Sequence, residues 1–200
     1  ISTNSRTGTR IGGQVNRVPG KGTFVTKKVN YVFLTKNTTF EEQIREMGMV
    51  PSVKLLRREV IEADAFIAKQ LQIPEKSKVV HVLRLRNADN EPYSYVDCHL
   101  PYDLCAHLME ADLENMSLYI AVNKNPKAHI ARITRIVEAV PATRTETLLL
   151  GVPEGSPIHL FTSYAVGNDG RMIDYGVTHS RADRSKFSVE LVPHFEDESE

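Results

Sequence analysis

The stretch that decides the fold is Val79-Val80-His81-Val82-Leu83-Arg84-Leu85-Arg86-Asn87-Ala88-Asp89-Asn90-Glu91-Pro92-Tyr93-Ser94-Tyr95-Val96-Asp97-Cys98-His99-Leu100. Residues 88–92 are turn material, and the flanking runs 79–87 and 93–100 are rich in strand-forming residues, so the stretch reads as a β-hairpin. Successive strand side chains face opposite ways, which places Arg84 and Arg86 on one face, about 6.5–7 Å apart, with Leu83 and Leu85 on the other. Two guanidiniums so placed can clamp a phosphate or carboxylate through paired hydrogen bonds. The plainer reading is a solvated cationic face. The clamp is preferred because Thr38-Thr39-Phe40 opens a helix whose first backbone N–H groups offer a second anion seat.

Working outward, a helix over 63–71 and the turn Ile73-Pro74-Glu75 precede this hairpin. The pattern recurs as a helix over 142–150, Val152-Pro153-Glu154, and a hairpin of strands 156–166 and 171–181 around Gly167-Asn168-Asp169-Gly170. The two prolines stand 79 residues apart (153 − 74). A strand precedes each unit, at 53–61 and 128–140, so the chain carries a twofold strand–helix–hairpin repeat. Hairpins favour an antiparallel sheet with helices covering one side, which predicts an α+β fold with a cleft between the halves, not a doubly wound nucleotide fold. Further helices are expected from Phe40 to Gly48, over 101–109 and from Ser117-Leu118-Tyr119, with a last strand at 186–191.

Composition narrows the function. The chain has 200 residues, 41% apolar and 25% charged, enough to bury a core and too apolar for a disordered chain. No apolar run approaches the roughly 20 residues of a membrane span, and the start lacks a signal-peptide core, so no membrane partner is expected. Two cysteines, Cys98 and Cys105, build neither a disulfide scaffold nor a thiolate zinc site; a reducing, cytoplasmic setting is expected. The seven histidines show no metal-ligand spacing, Ser117 lies in no nucleophile elbow, and no cofactor or metal is expected.

The zero net charge hides an asymmetry. Residues 1–30 carry six cations and no acid, leaving six net negative charges on the remainder, four of the acids being in the last seven residues. A basic arm on an acidic body is a nucleic-acid footprint. Within it, Arg17-Val18-Pro19-Gly20-Lys21-Gly22-Thr23-Phe24-Val25 reads as a small hairpin with cations at its tip, fit to lie along a phosphate backbone or enter a minor groove.

These residues resemble a known family. RVPGKGTFV is similar to the end of the winged helix-turn-helix of GntR-type bacterial transcription regulators. VLRLRNADNEPYSYVDCHLP, Ser117-Leu118-Tyr119 and IDYGVTHSRADRSKF resemble the effector domain of their HutC subfamily, the UTRA domain, with its chorismate-lyase-like fold. The resemblance implies a ligand-responsive regulator, a repressor acting as a homodimer on operator DNA, and no enzyme activity. It implies that Arg84, Arg86, Thr39, Phe40, Ser117, Tyr119, Asp174 and Tyr175 hold a small anionic effector, and that Ser5, Arg6, Thr7, Arg17, Gly20, Lys21 and Gly22 serve DNA binding. The implied organisation is a remnant of the DNA-binding domain at 1–28, a linker at 29–39, an effector domain at 40–192 and an acidic tail at 193–200. The first two helices of that DNA-binding domain have no counterpart, and Gly12-Gly13 is poor material for a recognition helix, so tight operator binding by this chain alone is not expected. Val96 stands where many members carry Glu, and no aromatic lid stands at Ser180, which shifts the expected ligand from an amino-sugar phosphate toward a smaller phosphorylated compound, a phosphonate or a carboxylate. The alternatives are a chorismate-lyase-like enzyme, which would not need a basic arm, and a stand-alone small-anion carrier.

Overall fold

The structure, a computed structural model, describes residues 14–18, 22–26, 30–33 and 39–188. The repeat expected from the two prolines organises it. Its first unit is β4 (Pro51–Glu62), α2 (Ala65–Leu71), β5 (Lys78–Ala88) and β6 (Glu91–Pro101). Its second is β7 (Ile130–Pro141), α5 (Arg144–Leu150), β8 (Pro157–Gly167) and β9 (Met172–Arg181). Together they form one six-stranded antiparallel sheet of order β4-β5-β6-β9-β8-β7, which reads as the same unit from either edge.

The two units correspond down to single hydrogen bonds. Ala63 N donates to Ser77 O at 2.9 Å and Lys76 N to Ala63 O at 2.8 Å. At the positions 79 residues on, Ala142 N donates to Ser156 O at 2.7 Å and Gly155 N to Ala142 O at 2.8 Å. Both helices end on a left-handed residue, Gln72 (φ 56°) in one and Gly151 (φ 65°) in the other.

Local chemistry explains the helix starts. Asp64 caps α2 by accepting from Ile67 N at 2.8 Å. Thr143 caps α5 in a capping box, with Glu146 reaching back to Thr143 N at 2.7 Å. Ile67, Ala68 and Leu71 of α2 pack on Val79 and Tyr175, and Leu150 of α5 joins Tyr95 and Ile158 on the same sheet face. The opposite face is covered in part by the segment linking the units. That segment holds α3 (Tyr102–Cys105), a 3-10 turn over Ala106–Met109, and α4 (Leu118–Val122), so the single helix expected over 101–109 is broken. Its Leu104, Leu108, Leu118 and Val122 form the main core with Val80, Val82, Val96 and Cys98.

The N-terminal part differs from expectation in one respect. β1 (Gln14–Val18) and β2 (Gly22–Thr26) pair antiparallel as the expected hairpin, placing Arg17 and Gly22 in its strands. Ser5, Arg6, Thr7, Gly20 and Lys21 lie outside the described residues. Residues 30–33, read as part of a linker, instead form β3 (Asn30–Phe33), which pairs in parallel with β10 (Ser185–Ser188). Tyr31, Val32 and Phe33 are strand-forming residues, and their backbone partner lies some 150 residues away, Ser185 for Asn30. Among the described residues no helix is long and apolar enough to cross a membrane.

Glu146 is the most heavily used cap. Besides Thr143 it accepts from Tyr95 Oη at 2.5 Å and lies 2.9 Å from His179 Nδ1. Burial pushes its carboxyl up, but the hydrogen bonds from Thr143 and Tyr95 outweigh it and hold the pKa at about 2. Its contribution is present above the usual carboxylate range and lost as pH falls through about 2. Glu146→Ala is expected to cost roughly 2–4 kcal/mol in urea unfolding at pH 7, and less at pH 3.

Candidate functional site

A cavity of about 740 Å³ opens on the sheet face opposite α2 and α5. Its floor is β5, β6, β9 and β8, and its wall includes the start of α1 (Phe40–Glu46), the start of α4 and the first half of β7. Seven of the eight residues expected to hold an effector line it: Arg84, Arg86, Thr39, Phe40, Ser117, Tyr119 and Asp174. Tyr175 does not. Strand alternation turns it to the other face, where it packs under α2, so Asp174 and Tyr175 act on opposite sides of the sheet.

Arg84 is buried and Arg86 half-buried. Arg84 is 1% exposed, and its Nη1 donates to the Met116 carbonyl at 3.5 Å. Nε of Arg84 and Nε of Arg86 are buried with no hydrogen-bond partner among the described residues. The Arg86 guanidinium sits 5.1 Å from the Phe40 ring centroid, a cation–π contact. Burial, reinforced by the positive charge of Arg84, pulls the Arg86 pKa down to about 10, so it stays charged at neutral pH. Burial lowers Arg84 as well, against the pull of Cys98, Glu41 and Asp174.

Asp174 is fully buried. Tyr119 Oη donates to its Oδ2 at 2.8 Å, and the Cys98 thiol is also hydrogen bonded to it, while Oδ1 has no partner among the described residues. Burial dominates and raises its pKa to about 7 despite those bonds and Arg84. Its strand neighbour Gly176 is dictated by space: a Cβ there would lie 3.0 Å from Asp174 Oδ2 and 3.2 Å from Cys98 Sγ.

The α1 anion seat differs from expectation. Thr39 N already donates to Glu42 Oε2 at 2.7 Å, and Thr39 Oγ1 accepts from Glu42 N at 3.2 Å. The capping box therefore seats an internal carboxylate on the first amide of the turn. Sequence reasoning also misses Arg135 of β7, which lines the cavity and donates from Nε to Ser163 Oγ at 3.2 Å. Strand alternation along 128–140 is the available signal, since it puts Ile133 and Arg135 on one face. Val96 and Ser180, the two departures from the family pattern, both line the cavity.

With this geometry in place, comparison with known proteins is decisive. The UTRA domain model matches residues 46–186. The chain belongs to the UTRA family. The transcriptional repressor NagR of Bacillus subtilis is 27% identical over 175 residues, covering 88% of this chain and 72% of NagR. The mannosyl-D-glycerate transport/metabolism system repressor MngR of Escherichia coli is 30% identical over 175 residues, covering 86% of this chain and 71% of MngR. The crystal structure of PhnF from Mycobacterium smegmatis superposes with a TM-score of 0.79 at 20% identity, over 90% of this chain and 79% of PhnF, and so shares the fold. The relatives of this UTRA chain are transcriptional regulators of the GntR/HutC type, not enzymes.

The buried acid of the UTRA cavity has a measurable signature. Holding Asp174 at about 7 rather than 3.8 leaves the native state stabilised relative to the unfolded chain by the proton it keeps, an advantage that is lost as pH rises to about 7. Above that pH, ionised Asp174 costs up to roughly 4 kcal/mol. Asp174→Asn is therefore expected to gain in Tm relative to the unsubstituted protein between pH 5 and pH 8; parallel pH profiles would contradict this.

Proposed function

We propose that this protein is a DNA-binding transcription regulator, a repressor, whose UTRA domain binds a small anionic metabolite and so alters operator affinity. The observation that carries this is the pair Arg84 and Arg86: a buried and a half-buried arginine side by side on one strand face, each with a buried Nε that has no partner among the described residues, in a cavity open to small molecules. Buried charge is costly unless paired, and a phosphate, phosphonate or carboxylate supplies the missing acceptors in the matching planar geometry. Ser117, Tyr119, Thr39 and Phe40 complete the site, with Tyr119 held by Asp174. For the seat at Thr39, the anion displaces the Glu42 carboxylate that now occupies it.

The relatives support a small-molecule-responsive repressor: one is named for a mannosyl-D-glycerate transport/metabolism system and another for fructoselysine utilisation. Residues 40–192 form the effector domain in this reading. Residues 1–28 belong to the DNA-binding side, where the hairpin of β1 and β2 is the wing. The protein works in the cytoplasm as a homodimer, because a two-fold protein matches a pseudopalindromic operator. Effector binding biases the arrangement of the two DNA-binding heads.

A thermal-shift screen of sugar phosphates, phosphonates and small carboxylates identifies the ligand class. In calorimetric titration with the best hit, Arg84→Ala or Arg86→Ala is expected to weaken binding ten- to hundredfold, the loss of a charged hydrogen-bond partner worth about 1.5–3 kcal/mol. Unchanged affinity in both variants rejects the clamp. On the DNA side, in the full-length protein with its complete winged helix-turn-helix, Lys21→Ala is expected to weaken operator binding and to flatten the plot of log affinity against log salt by about one. An unchanged slope removes Lys21 from the interface.

A further inference from the structure

The sheet face beneath α2 and α5 holds a second polar cluster that the anion site does not use. Register pairs Glu59 of β4 with His81 of β5, and His81 with His99 of β6, in one cross-strand row; Asp97 lies two residues from His99 on the same face. His81 Nε2 is 2.7 Å from Asp97 Oδ1, and His99 Nδ1 is 3.8 Å from that same oxygen. The two imidazoles stack at 4.6 Å between centroids. The donor atoms of His81, Asp97 and His99 all lie within 4.8 Å of one another.

We propose that His81, Asp97 and His99 form a binding site for a divalent first-row transition metal of the zinc class. Two imidazoles and one carboxylate are the donor set such ions prefer. Bonds of about 2.0–2.1 Å in tetrahedral geometry place donors about 3.3 Å apart; the Asp97 oxygen stands 2.7 and 3.8 Å from the two nitrogens, and because the rings are stacked nearly parallel one of them turns about its Cβ–Cγ bond to aim its lone pair at the ion. Nδ1 of His99 is buried with no hydrogen-bond partner among the described residues, an orphan lone pair that a metal satisfies. The other nitrogen of His81 faces Glu59 Oε1 at 3.4 Å, the outer carboxylate that orients a ligating histidine. Asp97 is 37% exposed at its side chain, so water reaches the remaining coordination position.

The repeat sharpens the point. The positions matching Glu59, His81, Asp97 and His99 in the second unit are Glu138, Leu160, Val177 and His179. The fold is therefore content with Leu and Val where the first unit carries His81 and Asp97. The double variant His81→Leu, Asp97→Val thus imports residues that the equivalent positions already accommodate.

Equilibrium dialysis of the EDTA-treated chain against micromolar zinc chloride is expected to leave one zinc per chain. The double variant, its fold checked by circular dichroism, is expected to lose zinc affinity at least a hundredfold. Glu59→Gln is expected to lose about ten- to hundredfold. Arg84→Ala, on the other face, is expected to bind zinc normally. Failure of the unsubstituted protein to retain zinc, or wild-type retention by the double variant, overturns the proposal. Should the double variant fail to fold, His99→Gln replaces it, with loss of zinc expected and full retention overturning the site.

Discussion

The pairing of β6 with β9, from Ser94↔Ser180 to His99↔Tyr175, is the interaction on which the rest depends. Each repeat unit alone is a three-stranded sheet with one helix on one face, and β6 and β9 would then be open edges. Joining them removes both edges and sets the two units about a seam. On one face α2 packs on Tyr175 of β9 and α5 on Tyr95 of β6, so both helices cover the seam. On the other it brings Arg84 and Arg86 of the first unit to the same cavity as Asp174 and Gly176 of the second. Neither unit contains the whole arrangement.

The charges in that cavity are held at a cost. Arg86 remains protonated at neutral pH even with its pKa pulled to about 10, and Asp174, at about 7, is ionised only in part. The buried acid therefore neutralises little of the arginine pair. The Phe40 ring and the Met116 carbonyl offset a fraction of the desolvation. Residual positive charge, more than the shape of the hollow, is what favours the proposed anionic ligand.

Much of this was legible in the sequence. The repeat announced itself through Pro74 and Pro153, and the face shared by Arg84 and Arg86 follows from period-two alternation alone. The same rule separates Asp174 from Tyr175, yet the family motif treats them as a pair. What stayed hidden depends on register between distant segments. Nothing local in Asn30–Phe33 points to Ser185–Ser188. The Thr39–Glu42 cap was readable as a helix start, but that its carboxylate occupies the first amide is a matter of side-chain geometry.

The two units share a backbone plan but divide the labour. Arg84 pairs with Val96 in the first unit; the matching pair in the second is Ser163 with Gly176. One unit thus supplies charge and the other supplies space. A large residue at Gly176 would meet Asp174 and Cys98, and a second arginine at Ser163 would face Arg135. The opposite face diverges in a different way: His81 and Asp97 answer to Leu160 and Val177, while His179 of the second unit pairs with Glu146 instead. A symmetric chain would have had to bury four guanidiniums around one hollow or none. Keeping the backbone twofold while making the side chains unlike resolves that electrostatic conflict, and it explains why strand pairing preserves the repeat so faithfully while the residues lining the cavity do not.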